Sequence, residues 1–101
     1  MNSAYKKIKV PFIPLYLIRW KPNITSCIHG HYGKECNYLV LSGKLKETIY
    51  KQTHNKDYYL FKTRIVDKNQ SAHINDFIGE HSVRNISDKT AWSLHYYGKI
   101  K

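Results

Sequence analysis

Two histidines and a cysteine in one short stretch are the residues of this sequence best suited to metal or redox chemistry. The stretch reads SCIHGHYGKEC and spans 26–36, with His29 and His31 two residues apart and Cys36 five residues later. On a β-strand, residues i and i+2 point to the same face, so the two imidazoles would converge on one metal ion. Cys36 is open to three interpretations: a metal ligand, a redox partner or a buried small residue.

Residues beyond this stretch complete a two-part motif. Four residues separate His31 from Cys36 and six separate Cys36 from Gly43, while His81 and Asn85 come much later in the chain. Together they resemble the motif of the cupin superfamily, which has His-x-His, an acidic residue, a glycine and a distant histidine followed by asparagine. This resemblance implies a small double-stranded β-barrel.

The acidic position of that motif has two candidate occupants. Glu35 fits a three-residue spacing from His31, whereas Cys36 fits a four-residue spacing and also the six-residue spacing to Gly43. We therefore place Cys36 in this position, which leaves three histidines for the metal. The alternative keeps Glu35 as a fourth ligand, in an ordinary cupin with another substrate.

A cupin with cysteine in that position resembles cysteine dioxygenase. Three stretches carry the resemblance, HGHYGKECNYLVLSGKLKETIY, HINDFIGEHSVRN and WSLHYY, and they occur in the family's order. The resemblance implies an Fe(II) enzyme that adds both atoms of O₂ to the thiol of L-cysteine and gives cysteine sulfinic acid. It also implies that the iron ligands are His29, His31 and His81.

The same resemblance assigns roles to further residues. Cys36 and Tyr97 are the pair that can join through a thioether, a protein-derived cofactor, and Ser93, His95 and Tyr97 form a hydrogen-bonded row. Tyr5, Lys7 and Trp20 are assigned to the substrate. Lys7 stands where the family has an arginine, and a lysine cannot make the planar two-pronged contact with a carboxylate.

Three neutral imidazoles suit the predicted chemistry. They hold Fe(II) on one side and leave coordination positions for a substrate and O₂ on the other. Because the usual carboxylate ligand is missing, more positive charge stays on the iron, which favours an anionic thiolate and lowers the pKa of the bound thiol.

The pattern of apolar residues and turns predicts an all-β chain with little or no helix. Short runs of alternating or β-branched and aromatic residues are separated by Gly, Pro, Asn and Asp, which is typical of a small β-sandwich, jelly roll or barrel. We interpret residues 1–101 as a single cupin domain with motif 1 at 26–43, motif 2 at 78–85 and the Ser-x-His-x-Tyr strand at 93–97. The predicted strands are 12–20, 26–31, 36–42, 44–51, 58–66, 71–75, 79–87 and 91–98.

The chain is strongly basic, with a formal net charge of +10 in 101 residues. This charge attracts anions, including a small carboxylate substrate. Its lysines are scattered and no helix-turn-helix or zinc-finger spacing occurs, so nucleic acid is not the expected partner. The apolar run near the start contains two prolines and no cleavage site follows it, and no segment is long enough to span a bilayer. We expect a cytoplasmic protein without membrane contact and leave a homo-oligomer open.

Two other functions remain compatible with the sequence. One is a dioxygenase of another small thiol such as 3-mercaptopropionate, which the loss of the arginine favours and Cys36 disfavours. The other is a non-catalytic metal-binding cupin, a binding module whose basic surface carries the function.

Overall fold

The computed structural model describes residues 5–26, 34–75 and 78–99. These residues form an all-β structure without a helix, as the sequence predicts. No helix long and apolar enough to cross a membrane therefore occurs in these three segments. The strands are β1 (Tyr5–Lys9), β2 (Leu15–Trp20), β3 (Lys34–Ser42), β4 (Lys44–Gln52), β5 (Tyr58–Asp67), β6 (Ser71–Asn75), β7 (Glu80–Asn85) and β8 (Ala91–Lys99).

The strands form two antiparallel sheets. The larger sheet has the order β1-β2-β8-β3-β6, so β8 lies at its centre between β2 and β3. The smaller sheet has the order β5-β4-β7. Strands that are distant in sequence are therefore neighbours in space, and the sheets bring residues from both ends of the chain together.

Alternating burial shows which face of each sheet is inside. On β3, Cys36, Tyr38 and Val40 are buried while the residues between them are exposed. On β4, Leu45, Glu47 and Ile49 are the buried set. Because strand side chains alternate between faces, each strand gives one row of side chains to a shared core. One member of the β4 row, Glu47, is a carboxylate.

Gly43 makes the tight connection between β3 and β4. Its φ is +84°, a left-handed conformation that favours glycine. A Cβ at this position would lie 2.6 Å from the Cβ of Ala91 on β8. The motif glycine is thus required both by the turn and by the close packing of β8 against it.

Asn85, the asparagine of the second motif, ties three segments together from a fully buried position. Its Nδ2 donates to the carbonyl oxygen of Trp20 at 3.0 Å and to that of Lys89 at 2.8 Å. Its Oδ1 accepts from the backbone N–H of Ser87 at 2.9 Å. The side chain therefore fixes the end of β2 and the turn that leads into β8.

The predicted strand boundaries are wrong in one region. The sequence predicts a strand over 12–20, but β2 begins at Leu15, and β1 was missed. Phe12 has a φ of +68° and Leu15 donates its N–H to the carbonyl oxygen of Ile13, so a turn occupies this segment and returns the chain as a hairpin. The predicted strand at 26–31 lies outside the described residues except for Ser26.

Candidate active site

Ser93 and His95 lie on the inner face of β8 and are both buried. Their side chains are joined by a hydrogen bond of 2.7 Å between Ser93 Oγ and His95 Nε2. Trp20 on β2 donates its indole N–H to the same Ser93 oxygen at 2.8 Å. Ile18 pairs with Ser93 in the sheet register, so Trp20 reaches the hydroxyl from the next inward position. The row predicted on β8 therefore begins with an anchored serine.

The second ring nitrogen of His95 faces Cys36. The distance from Nδ1 to Cys36 Sγ is 3.7 Å, which is within hydrogen-bonding range for sulfur. One tautomer satisfies every donor in this row: Ser93 donates to Nε2, and the Nδ1 proton of His95 points at the Cys36 sulfur. His95 thus links the anchored serine to the cysteine.

Cys36 and Tyr97 are direct cross-strand partners in the β3–β8 pair. Cys36 is fully buried, and burial followed by the negative charge of Glu47 raises the pKa of its thiol to about 12. Its hydrogen bond with Tyr97 and the ammonium of Lys7 oppose this rise in pKa. Burial also raises the pKa of the Tyr97 phenol, and the neighbouring Cys36 and Tyr5 add to that effect. Both groups are therefore neutral at physiological pH in the metal-free protein.

Tyr5 and Lys7 on β1 lie beside this group. The ring of Tyr5 packs on Trp20 with 4.7 Å between centroids, and Trp20 is 2% exposed. The ammonium of Lys7 lies 4.3 Å from the ring centroid of Tyr97. The three residues predicted to contact substrate thus border the same inner surface as the Cys36–Tyr97 pair.

His81 enters from the smaller sheet. It lies on β7 opposite Ile49 of β4 and is 2% exposed. Its Nδ1 is 2.6 Å from Oε2 of Glu47, the buried carboxylate on the inner face of β4. Arg64 on β5 donates its Nε–H to the other Glu47 oxygen and an NH₂ proton to the carbonyl oxygen of His73 at 2.7 Å.

Glu47 remains ionised in this environment. Burial alone would raise its pKa, but the hydrogen bonds from His81 and Arg64 and the charges of those two groups hold the pKa below its ordinary value. An ionised carboxylate on Nδ1 fixes the Nδ1-protonated tautomer of His81, which gives the lone pair to Nε2. This arrangement suits a metal ligand, since ligating histidines almost always donate their other ring N–H to such an acceptor.

The other two predicted ligands, His29 and His31, lie outside the described residues. Within residues 5–26, 34–75 and 78–99, no three His, Cys, Asp or Glu side chains are grouped as a metal site. The chemistry of the described ligand fits iron all the same, because imidazole is a suitable donor for it and His81 is held in a ligating tautomer.

Glu35, the alternative occupant of the acidic position, points away from this group. It precedes Cys36 on β3, so the two side chains lie on opposite faces of the larger sheet. The Glu35 carboxylate is one-third exposed and lies 3.8 Å from His73 Nε2 on β6. In the described geometry Cys36 is the inward-facing residue of the two.

A family model for cysteine dioxygenase type I matches residues 12–99. The chain belongs to this family. Cysteine dioxygenase type 1 of Bos taurus is 41% identical over 86 residues, and that of Danio rerio is 37% identical over 87 residues. Each alignment covers 82% of this chain and 43% of the relative. The chain thus spans less than half the length of these cysteine dioxygenases.

The fold of this cysteine dioxygenase family member is similar to that of solved cupin structures. Superposition on oxalate oxidase in complex with glycolate gives a TM-score of 0.66 at 18% identity, over 84% of this chain and 41% of the other. The Cnp3 cupin domain of Schizosaccharomyces pombe gives 0.67 at 11% identity, over 95% and 60%. At these identities the likeness concerns the fold alone, and it confirms the predicted cupin architecture.

Glu47 and Tyr38 were not identified from the sequence of this member of the cysteine dioxygenase family. Tyr38 lies on the inner face of β3 with its ring stacked on His95, at 4.9 Å between centroids and 9° between planes. Its hydroxyl is buried, and no group of the described residues meets it in good hydrogen-bond geometry, although burial and the nearby Glu47 carboxylate raise its pKa. Both residues carry a signal in the sequence, because each is a polar group at an inward position between apolar ones. That signal appears only once the strand register is known.

Proposed function

We propose that this chain is an Fe(II)-dependent thiol dioxygenase that converts L-cysteine and O₂ to cysteine sulfinic acid. The observation that carries the proposal is the direct pairing of Cys36 with Tyr97, beside an anchored Ser93–His95 row. These are the residues that the resemblance to cysteine dioxygenase assigns to the site, and they face the same core as His81. The reaction balances without another reactant, since R–SH and O₂ give R–SO₂H and the electrons lost by sulfur are gained by oxygen.

His29, His31 and His81 would hold the iron. When bound, Fe(II) supplies coordination positions for the thiolate and O₂ and activates O₂ toward sulfur. The part of the chain itself is to fix the ligand, because Glu47 and Arg64 keep the ring of His81 in one tautomer and orientation. A ligand held in this way costs little reorganisation on binding.

Lys7 and Tyr97 would contact the substrate. Lys7 supplies the positive charge for the carboxylate of the thiol, and the raised pKa of Tyr97 keeps its phenolic proton in place as a hydrogen-bond donor. Ile18 and Trp20 are almost completely buried and exclude water from this side of the core. A small, charged thiol is the class of substrate that these groups accommodate.

A second candidate is the same reaction on 3-mercaptopropionate. Lys7 is equally compatible with it, because an ammonium attracts the carboxylate of either thiol as a point charge and imposes no planar geometry on it. Cysteine and 3-mercaptopropionate both carry that carboxylate and differ in the amino group. Assays of the two substrates side by side distinguish the candidates.

One assay tests both. The protein is loaded with Fe(II) without oxygen, mixed with cysteine or 3-mercaptopropionate in air, and followed by sulfinate formation and O₂ uptake. We expect equal amounts of O₂ consumed and sulfinate formed, and loss of iron and activity in His81→Ala. Glu35→Ala is the matched control and should keep its iron. Iron binding without product from any small thiol would contradict the dioxygenase and leave a non-catalytic cupin.

The remaining expectations stay predictions. A cytoplasmic location and the absence of nucleic-acid binding rest on the sequence alone, and so does the single-domain boundary at 1–101.

A further inference from the structure

The ammonium of Lys7 lies between two tyrosine rings. Its Nζ is 4.4 Å from the ring centroid of Tyr16 and 4.3 Å from that of Tyr97. The two rings meet edge to face, with 5.5 Å between centroids and 72° between planes. A cation within about 6 Å of an aromatic face is attracted by the ring quadrupole, and two faces hold it from two sides.

The strand register explains why these three residues meet. Lys7 pairs with Ile18 on β2, and Tyr16 occupies the next inward position on the same strand. Tyr16 in turn pairs with His95 of β8, two residues before Tyr97. All three side chains therefore share one face across β1, β2 and β8. None of the pairings requires a residue outside the described segments.

Without such contacts, the Lys7 ammonium would not be held in one position beside the candidate site. Its four-carbon stem is flexible, and an ammonium normally extends toward water while the stem covers apolar surface. Tyr16 is half-buried and Lys7 is exposed, so the two rings contact the ammonium while the side chain keeps access to solvent. The two rings thus restrict a side chain that lacks the rigid fork of an arginine.

We propose that Tyr16 is a positioning and specificity-determining residue, which together with Tyr97 holds the Lys7 ammonium so that this charge selects thiols bearing a carboxylate. The inference rests on the proposed function, because it assigns a task to Lys7 in substrate binding. The inference adds to that function a residue outside the motif, Tyr16, which positions the Lys7 ammonium. Thiols with a carboxylate are bound whether or not they carry an amino group. Cysteamine has an amino group but no carboxylate, so the held ammonium does not strengthen its binding.

Kinetics of two Tyr16 variants test the selection. Tyr16→Leu removes the ring, whereas Tyr16→Phe keeps the ring face and removes the hydroxyl. For cysteine and 3-mercaptopropionate we expect the KM of Tyr16→Leu to rise about two- to fivefold, the size expected when a cation–π contact at an exposed lysine is lost, with little change in kcat. Tyr16→Phe should restore the low KM. The KM for cysteamine should be the same in both variants.

Tyr96→Leu is the matched control, since Tyr96 is an exposed residue on the opposite face of β8. It should leave every KM as in the wild type. Equal effects of Tyr16→Leu on cysteine and cysteamine would overturn the proposal, because a general disturbance of the pocket would then explain them. So would a Tyr16→Leu variant whose KM for the carboxylate thiols does not change.

A second measurement is independent of iron and activity. Lysines of the metal-free protein are reductively methylated with a ¹³C reagent, and the Lys7 signal is identified by its loss in Lys7→Arg. We expect its methyl protons to be shifted upfield by the two rings in the wild type and in Tyr16→Phe, and to move toward the solvent-exposed position in Tyr16→Leu. An unshifted Lys7 signal in the wild type would overturn the arrangement. Absence of thiol oxidation together with a shifted signal would instead reject the proposed function and its substrate selection while the contact itself stands.

Discussion

Cys36 and Tyr97 face each other directly across the β3–β8 pair, although sixty-one positions separate them in the sequence. Side chains at such paired positions have Cβ atoms about 5 Å apart, close enough for a sulfur to approach the edge of a ring. The thioether between them stays a prediction, and it gives a simple measurement. Iron-loaded protein exposed to air and cysteine should lose two hydrogen atoms in intact mass, which O₂ accepts as the C–S bond forms.

A disulfide between Cys27 and Cys36 would cause the same loss of mass, so the sample is reduced before measurement. The thioether survives reduction and a disulfide does not. Tyr97→Phe and Cys36→Ala should both show the full mass. A deficit that persists in Tyr97→Phe after reduction would contradict the crosslink.

The raised pKa of Cys36 predicts a loss of stability at alkaline pH. In the metal-free, reduced protein the thiol has a pKa of about 12, against 9.0 when it is not perturbed. The folded state then holds its proton more tightly than the unfolded state, so this stabilisation is complete below pH 9 and is lost as pH rises toward 12. Each unit of pKa difference corresponds to about 1.4 kcal/mol.

Urea unfolding at several pH values checks this prediction against Cys36→Ala. The variant starts from a lower stability because it leaves a small cavity, so the slopes are compared and not the absolute values. We expect a steeper decline in the wild type between pH 9 and 12. Parallel curves would show that the thiol does not titrate in the folded protein as described.

Glu47 should matter for metal affinity as well as for the fold. Glu47→Gln keeps the size of the side chain but removes the charge that fixes the Nδ1–H tautomer of His81. Loss of an acceptor behind a ligating histidine typically lowers metal affinity about 10- to 100-fold. Fe(II) titration of the anaerobic protein measures this change. Glu35→Gln, on the outer face of β3, is the control and should bind iron as the wild type does.

Tyr38→Phe should make the protein more stable. The Tyr38 hydroxyl is buried and lacks a well-aligned hydrogen-bond partner among the described residues, although the Glu47 carboxylate lies near enough to raise its pKa. Burial of a hydroxyl without a hydrogen bond costs about 1–3 kcal/mol. Phenylalanine keeps the ring that stacks on His95 and removes this cost. We expect the free energy of unfolding to rise by about 1 kcal/mol in chemical denaturation. A decrease of that size would mean that the hydroxyl binds an ordered water or a protein group.

Asn85→Ala should be among the most destabilising single substitutions. The side chain bonds to Ser87 and Lys89 within the β7–β8 turn and to Trp20 at the end of β2, and all three lose this partner at once. An orphaned buried group costs about 1–3 kcal/mol, and the two part-buried groups of the turn add less, so a loss of about 2 kcal/mol or more is expected. Asn37→Ala, at an exposed position on β3, should change stability by less than about 1 kcal/mol. Similar effects of the two substitutions would contradict the structural role of Asn85.

Most of the fold followed from the alternation of apolar residues, because buried strands such as β3 and β4 carry that pattern clearly. The first hairpin did not follow from it. β1 contains three lysines in five residues and reads as a solvated run, and its pairing with β2 depends on a turn at Phe12 that no glycine marks. Tertiary pairing decided the structure there, against the local pattern.

Within the site, residues with a motif position were predictable and their supports were not. Cys36 and His81 follow from the spacing of the cupin motif and Tyr97 from the resemblance to cysteine dioxygenase, and the structure describes each of them on an inner face. Glu47 and Tyr16 act through contacts between strands, so their importance depends on register. Sequence spacing alone does not reveal which side chains face each other across two sheets.

The position of β8 has a consequence for synthesis of the protein. β8 is the last strand of the described residues to leave the ribosome, yet it is the centre of the larger sheet, so β2 and β3 have no common partner until it is made. Pairings between such distant segments form slowly, because the chain must close a long loop before any contact stabilises it. Until then the edges of β2 and β3 stay exposed to other chains. Both the assembly of the candidate site and the protection of these edges therefore await β8, and slower release of that strand lengthens the period in which the nascent chain depends on chaperones.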